Sequence, residues 1–286
     1  MKKVLLASTA LVLSAGVAAA DVSVGGDGRI GITSYDAVND GDLTLESRIR
    51  ISFSASGETD AGLAFGGSIR ADNAGGGASG TDGSVFIEGS FGKLTVGDTS
   101  GAPEAAVGDA SSVGLTGVGD FSELTYLSNN TGLGADAREA ARWDYTTGDL
   151  GLHVSTDNFG PAGDNAYGVA VTYSAGDFSF GAGYEELGDL EHLAAGVTAA
   201  FGDATVKVVY GTLDNGAFTD DDQYAASLDY VSGATTLTVF GRKNFDGDNA
   251  FGVGVAYDLG GGASLKAGYA DQEDVTNYDF GISMSF

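Results

Sequence analysis

The side chains in this sequence that could act on a passing molecule are mostly charged. Arg29, Arg48, Arg50 and Arg70 come early, and a spread of carboxylates follows: Asp98, Glu104, Asp109, Asp120 and Glu123, with Asp136 and Glu139 beyond. Arg48 and Arg50 stand two apart in Glu46-Ser47-Arg48-Ile49-Arg50-Ile51-Ser52-Phe53, so in a strand they share one face while Ile49, Ile51 and Phe53 take the other. Arg29 sits between Gly28 and Ile30, and Arg70 follows Ser68 on the face opposite Leu63, Phe65, Gly67 and Ile69. Guanidiniums stay charged, and several on one wall require water or facing carboxylates to compensate. The arginines and acids are either solvated independently, or they face each other across a water-filled passage. The second arrangement would select solutes by their charge, with no bond made or broken.

Other chemistries find little support. With no cysteine and only His153 and His192, thiol chemistry is excluded and a structural zinc site is not expected. Neither histidine has the spacing of a Ser-His-Asp set, so no catalytic residue is assigned and the chain is not read as an enzyme. Asp246-Gly247-Asp248-Asn249 starts like a calcium loop but lacks the spaced ligands and the closing Glu; a solvated acidic turn is the plainer reading, and structural Ca²⁺ stays a secondary expectation. Gly75-Gly76-Gly77-Ala78-Ser79-Gly80 has no following Lys or helix to make a phosphate loop. Only 13 Lys+Arg stand against 40 Asp+Glu, which excludes nucleic acid as a partner.

The elements that must position these charges follow from composition and periodicity. Glycine fills 48 of 286 positions, unfavourable for helices, while 43% hydrophobic residues are enough for an ordered fold. Lys2 and Lys3, the apolar stretch Val4 to Val17 and Ala18-Ala19-Ala20 read as a cleaved signal peptide over residues 1–20, leaving 21–286 as one domain. Beyond it, apolar and small or polar residues alternate with period two, as in Phe178, Phe180, Ala182 and Tyr184 against Ser179, Gly181, Gly183 and Glu185. Glycine turn strings at Gly57, Gly92, Gly148, Gly176, Gly202, Gly233 and Gly261 recur mostly about every 28 residues, the length of two strands and a loop. Seven such turns join fourteen strands, and the chain ends add two, which predicts sixteen. A closed sheet that wide cannot be filled by side chains, so the bulky face must point outward to lipid and the polar face inward to water. The expected fold is all-β: a sixteen-stranded antiparallel transmembrane β-barrel whose last strand, ending at Phe286, pairs with the first.

One interval breaks the rhythm. Between Gly92 and Gly148 a segment of about 40 residues, too long for an idle connection, carries the acids named above. It is either a solvated surface loop or a third loop folded into the lumen, with Asp98, Glu104, Asp109, Asp120 and Glu123 opposite the wall cations Arg29, Arg48, Arg50 and Arg70. The acid excess, including Asp220-Asp221-Asp222 and the stretch from Asp271 to Asp274, predicts weak cation selectivity. A secreted glycine-rich, calcium-binding β-solenoid adhesin is the alternative, although the turns do not recur at a nonapeptide period.

Several strings, in this order, carry a family likeness. They are Asp21-Val22-Ser23-Val24-Gly25-Gly26-Asp27-Gly28-Arg29, Ser47-Arg48-Ile49-Arg50, Gly62-Leu63-Ala64-Phe65-Gly66, Phe91-Gly92-Lys93-Leu94-Thr95-Val96-Gly97-Asp98, Tyr257-Asp258-Leu259-Gly260-Gly261-Gly262-Ala263-Ser264 and terminal Phe286. Through them the whole mature chain resembles the sixteen-stranded general-diffusion porins of the bacterial outer membrane, in particular their alphaproteobacterial photosynthetic-bacterium branch. The resemblance implies passive diffusion of ions and small polar solutes, a homotrimer set in outer-membrane lipid and lipopolysaccharide, and no cofactor. It also implies a third loop facing wall arginines, and a role for Phe286 in barrel assembly. Gly28, Gly31 and Ala55 are small enough to suit a subunit-facing wall.

Overall fold

The computed structural model describes residues 21–36, 40–72, 83–129, 139–157, 165–214 and 222–286. Residues 1–20, the run from Gly75 to Gly80, Asp136, Asp220 and Asp221 lie outside the described residues. The strands are β1 Asp21–Tyr35, β2 Thr44–Glu58, β3 Ala64–Asp72, β4 Ser84–Gly89, β5 Gly92–Thr99, β6 Glu139–Thr147, β7 Leu150–Thr156 and β8 Ala166–Ala175. They continue with β9 Phe178–Leu187, β10 Leu190–Phe201, β11 Ala204–Asp214, β12 Asp222–Ser232, β13 Thr235–Lys243, β14 Asn249–Gly260, β15 Ala263–Gln272 and β16 Val275–Ser285. Each pairs antiparallel with its sequence neighbours, and β1 pairs with β16, so the sixteen strands form a closed barrel. A solenoid would leave its sheet unclosed, and the adhesin alternative fails on this topology.

Alternation decides which side chains face out. On β1, Val22, Val24, Ile30 and Ile32 are exposed on the exterior, and on β8 so are Tyr167, Val169, Val171 and Tyr173. The intervening positions, Gly168, Ala170, Thr172 and Ser174 on β8, face the interior. Exposed rings form rows near both ends of the barrel: Tyr173, Phe178, Phe201, Tyr230 and Tyr257 toward the tight turns, and Tyr210, Tyr224, Tyr269 and Tyr278 toward the other rim.

The predicted turns at Gly148, Gly176, Gly202 and Gly233 hold glycine at φ values of 58, 61, 62 and 61°, a left-handed conformation that suits glycine in two-residue hairpins. Gly57 is the exception. It is paired with Phe65 inside β2 and β3, and the turn lies beyond it, closed by the Thr59 N–H donating to the Leu63 carbonyl at 2.9 Å. Gly57 provides room for the Phe65 ring, which a Cβ would approach to 2.8 Å. A glycine under an aromatic ring and a glycine in a turn look alike in sequence.

Candidate functional site: a charged patch on the barrel wall

The inner wall is built first by the strands that carry the arginines. Arg29, Arg48, Arg50 and Arg70 lie on the faces of β1, β2 and β3 opposite Ile30, Ile49 and Ile69, all exposed on the exterior. Register brings them together, with Arg29 opposite Arg48, Asp27 opposite Arg50, and Arg50 opposite Asp72. Their direct ion partners are wall acids: Arg29 Nε bonds Glu46 Oε1 at 2.6 Å, Arg48 Nη2 bonds Asp27 Oδ1 at 3.1 Å, and Arg50 and Arg70 share Asp72 at 3.0 and 2.7 Å. The partners expected in the long loop are instead Asp27, Glu46 and Asp72 on the wall itself. The signal was present, since each lies two residues from an arginine and so on its face of the strand. The same geometry corrects Gly31: two residues from Arg29, it faces inward, where the Leu115 side chain occupies the space a Cβ would fill, and it is no part of a subunit-facing wall.

The chain between β5 and β6 is anchored on the inward faces of the strands that follow it. Its first carbonyl, Ser100, accepts from Arg142 Nη1 at 2.8 Å, and Ala102 N–H donates to Ser155 Oγ at 2.8 Å. A short helix, α1 (Ala102–Val107), then lies across β7 to β10. Pro103 in its first turn, with Glu104 behind, is a helix-start signal that the sequence reading missed. The outbound leg rests on glycine. A Cβ on Gly181 would overlap the Ala106 carbonyl oxygen, and one on Gly268 would stand 2.5 Å from Gly114 Cα. At the apex, the buried Asp279 of β16 accepts from Leu115 N–H at 2.9 Å, Thr116 N–H at 2.7 Å and Thr116 Oγ1 at 2.7 Å, while Tyr35 of β1 donates to Thr116 Oγ1. The return leg is tied back by Asn277 Nδ2 to the Val118 carbonyl, by Arg242 Nη1 to the Glu123 carbonyl, and by Gln223 and Glu185 to residues Thr125 to Ser128.

The five acids predicted for the constriction are not equivalent. Asp98 lies one residue before the end of β5, its N–H donating to the Gly83 carbonyl at 2.9 Å, and with Arg70, Ser52, Ser54, Ser68 and Ser84 it lines a polar recess of about 310 Å³. Glu104 is half-buried in the first turn of α1. Asp109 staples the two legs together, its carboxylate accepting from Leu124 N–H at 2.7 Å. Burial pushes its pKa up, against the opposing pull of that N–H and of Lys207 and Arg242. Glu123 is raised to about 7 by burial and then by Asp120 and Asp109, with Arg242 opposing. Asp109, Asp120 and Glu123 therefore form one electrostatic cluster on the loop, apart from Asp98. Burial likewise raises the pKa of Tyr126, whose hydroxyl donates to the Gly108 carbonyl at 2.9 Å.

Two groups lie outside that cluster. Asp144 is held by Arg142 at 3.0 Å and by His153 Nδ1 at 2.7 Å, near the base of the loop. The Asp246 turn is closed by its own backbone, with Asn244 N–H donating to the Asp248 carbonyl and Gly247 N–H to the Asn244 carbonyl, both at 3.1 Å. Among the described residues, no three His, Asp or Glu side chains group as metal ligands.

A closed sixteen-stranded barrel, apolar outside and lined with charge inside, is the architecture of a channel-forming membrane protein. The Gram-negative porin family model matches residues 7–277, and the chain belongs to that family. It is 33% identical to a porin of Rhodobacter capsulatus, over 91% of this chain and 96% of that one. A porin of Fuscovulum blasticum is 27% identical over 93% of this chain and all of its own length. Among solved structures, a porin refined at 1.8 Å superposes with a TM-score of 0.77 at 28% identity, covering 93% of this chain and all of that one. A variant of the Rh. blastica porin superposes at 0.70 over the same shares, at 24% identity.

Proposed function

We propose that this protein forms a water-filled pore in the bacterial outer membrane, through which ions and small hydrophilic solutes diffuse passively. Residues 1–20 act as its export signal. The observation that carries the reading is the segregation of charge. Ion-paired Arg29, Arg48, Arg50 and Arg70 face the interior, while the exterior of the same strands presents Val22, Val24, Ile30, Ile49, Phe53 and Ile69 to the surroundings. Solutes pass between this wall and the acids of the loop, and polar solutes are favoured because they need not displace water oriented by those charges.

Selectivity follows from the balance of charge. Asp27, Glu46 and Asp72 offset most of the arginine wall, whereas the chain as a whole carries a formal charge of −27. The pore should therefore be weakly cation-selective. Reversal potentials of single channels in a salt gradient measure this, and a clear anion preference overturns it. The barrel works as a homotrimer, for which the small outward Gly28 and Ala55 and an apolar exterior depression of about 620 Å³ lined by Phe53, Ala55, Gly67, Ile69 and Val85 offer a close-packing face. The mass of the detergent-solubilised protein, corrected for bound detergent, should be three times that of one chain; a stable monomer removes the proposal.

A further inference from the structure

The return leg of the loop is held by a buried polar group that transport itself does not use. Glu185 of β9, His192 of β10 and Gln223 of β12 are 0, 0 and 1% exposed. Glu185 accepts from Leu127 N–H at 2.7 Å, from Ser128 N–H at 3.3 Å and from His192 Nδ1 at 2.7 Å. Gln223 takes both backbone groups of Thr125, its Oε1 accepting from the N–H at 2.9 Å and its Nε2 donating to the carbonyl at 2.7 Å. The same Nε2 lies 3.3 Å from His192 Nε2.

These bonds fix the protons. The Gln223 amide cannot turn over, because its oxygen would then meet the Thr125 carbonyl and its NH₂ the Thr125 N–H. A carboxylate can only accept, so His192 carries its proton on Nδ1 and receives Gln223 at Nε2. A second proton, on Nε2, would point at an NH₂ group in a space closed by Tyr126 and Phe245, whose ring centres both lie 5.6 Å from the imidazole. A buried donor facing a donor is costly, and turning Gln223 to relieve it breaks both bonds to Thr125. Among the described residues, the groups facing His192 are Glu185 from β9, Gln223 from β12, Gly211 from β11, Tyr126 from the loop and Phe245 from the β13–β14 turn, and Glu185 is the charged one. Tyr126 in turn faces Asp109 and Glu104.

We propose that Glu185, His192 and Gln223 are positioning residues that clamp the loop's return leg to the wall, and that a proton arriving at His192 Nε2 releases it. The freed residues, Thr125 to Ser128, leave the wall for the lumen while Asn277 and Arg242 still hold Val118 and Glu123, so acid closes the channel. This rests on the channel reading above. Single-channel recordings from about pH 8 down to pH 5, where imidazoles titrate, test it on the wild type and on His192→Asn, whose amide can still donate to Glu185 but cannot take a proton. The wild type's closed-to-open ratio should rise by up to about tenfold for each pH unit of acidification, the limit for one proton, and that of His192→Asn should stay flat. A variant that follows the wild-type profile overturns the clamp while leaving the channel standing. The ¹⁵N shifts of the two imidazoles in the wild-type protein give an independent readout. Neutral His192 protonated on Nδ1 supports the clamp, and protonation on Nε2 overturns it, whether or not the variant folds or any conductance is seen.

Discussion

Three influences unfavourable to a charged carboxylate meet at Glu123, namely burial, Asp120 and Asp109, and together they place its titration at about 7. Because the shift is upward, Glu123 is neutral below that pH and gains its negative charge above it. Cation preference should therefore step up as pH rises through about 7, and Glu123→Gln should abolish the step. Reversal potentials at fixed salt gradient and varied pH check this. The test is distinct from acid closure, since it reads ion preference through the open state. Single residues were unevenly legible in the sequence. The inward direction of Arg29, Arg48, Arg50 and Arg70 follows from local alternation, and so does the shared face of Asp27, Glu46 and Asp72, each two positions from an arginine; which acid pairs with which arginine across strands is set by the register. The link between Asp109 and Leu124 does not, because it exists only once the loop has folded back on itself.

Elements differ in the same way. Hairpin turns carry local marks, and six of the seven glycines proposed for them lie at turns; Gly57 was misread because a strand glycine beneath Phe65 has the same neighbours in sequence as a turn glycine. The glycines beneath the loop were legible as inward-facing but not as a seat, since nothing in an alternating strand says what will lie against it. Gly181 shows what that seat does. An alanine there would collide with the Ala106 carbonyl oxygen, and the loop is the more yielding partner, because the strand beneath is paired on both sides. Gly181→Ala should therefore push α1 toward the axis, lowering conductance and the size limit for neutral sugars, at an overpacking cost of about 1–3 kcal/mol. Gly241→Ala, with nothing within 4 Å of the added Cβ, should change neither. Single-channel conductance and liposome swelling with graded sugars compare the two, and equal behaviour would show that the glycine seat does not set the pore's width.

For the whole molecule, the decisive constraint is closure, because an open strand edge in hydrocarbon leaves backbone N–H and C=O groups unsatisfied at several kcal/mol each. The seam where the chain's two ends meet runs from Asp27 opposite Ser285 to Tyr35 opposite Asn277, and Phe286 extends it by one exchange. Its N–H donates to the Gly26 carbonyl at 3.0 Å, its carbonyl accepts from Gly26 N–H at 2.7 Å, and its ring lies over Gly26 and Gly28. Deleting Phe286 removes both bonds, worth about 1–3 kcal/mol together, but leaves the remaining register of β1 and β16 in place. The shortened barrel should thus still close when refolded in detergent. It should lose its heat-resistant gel mobility at a lower temperature than the full chain, and a Gly26→Val variant, which displaces the ring from its seat and crowds the Arg50 carbonyl, should fall at least as far. If deletion leaves the melting transition unchanged, the terminal residue adds nothing to the folded seam, and any requirement for it belongs to assembly in the cell.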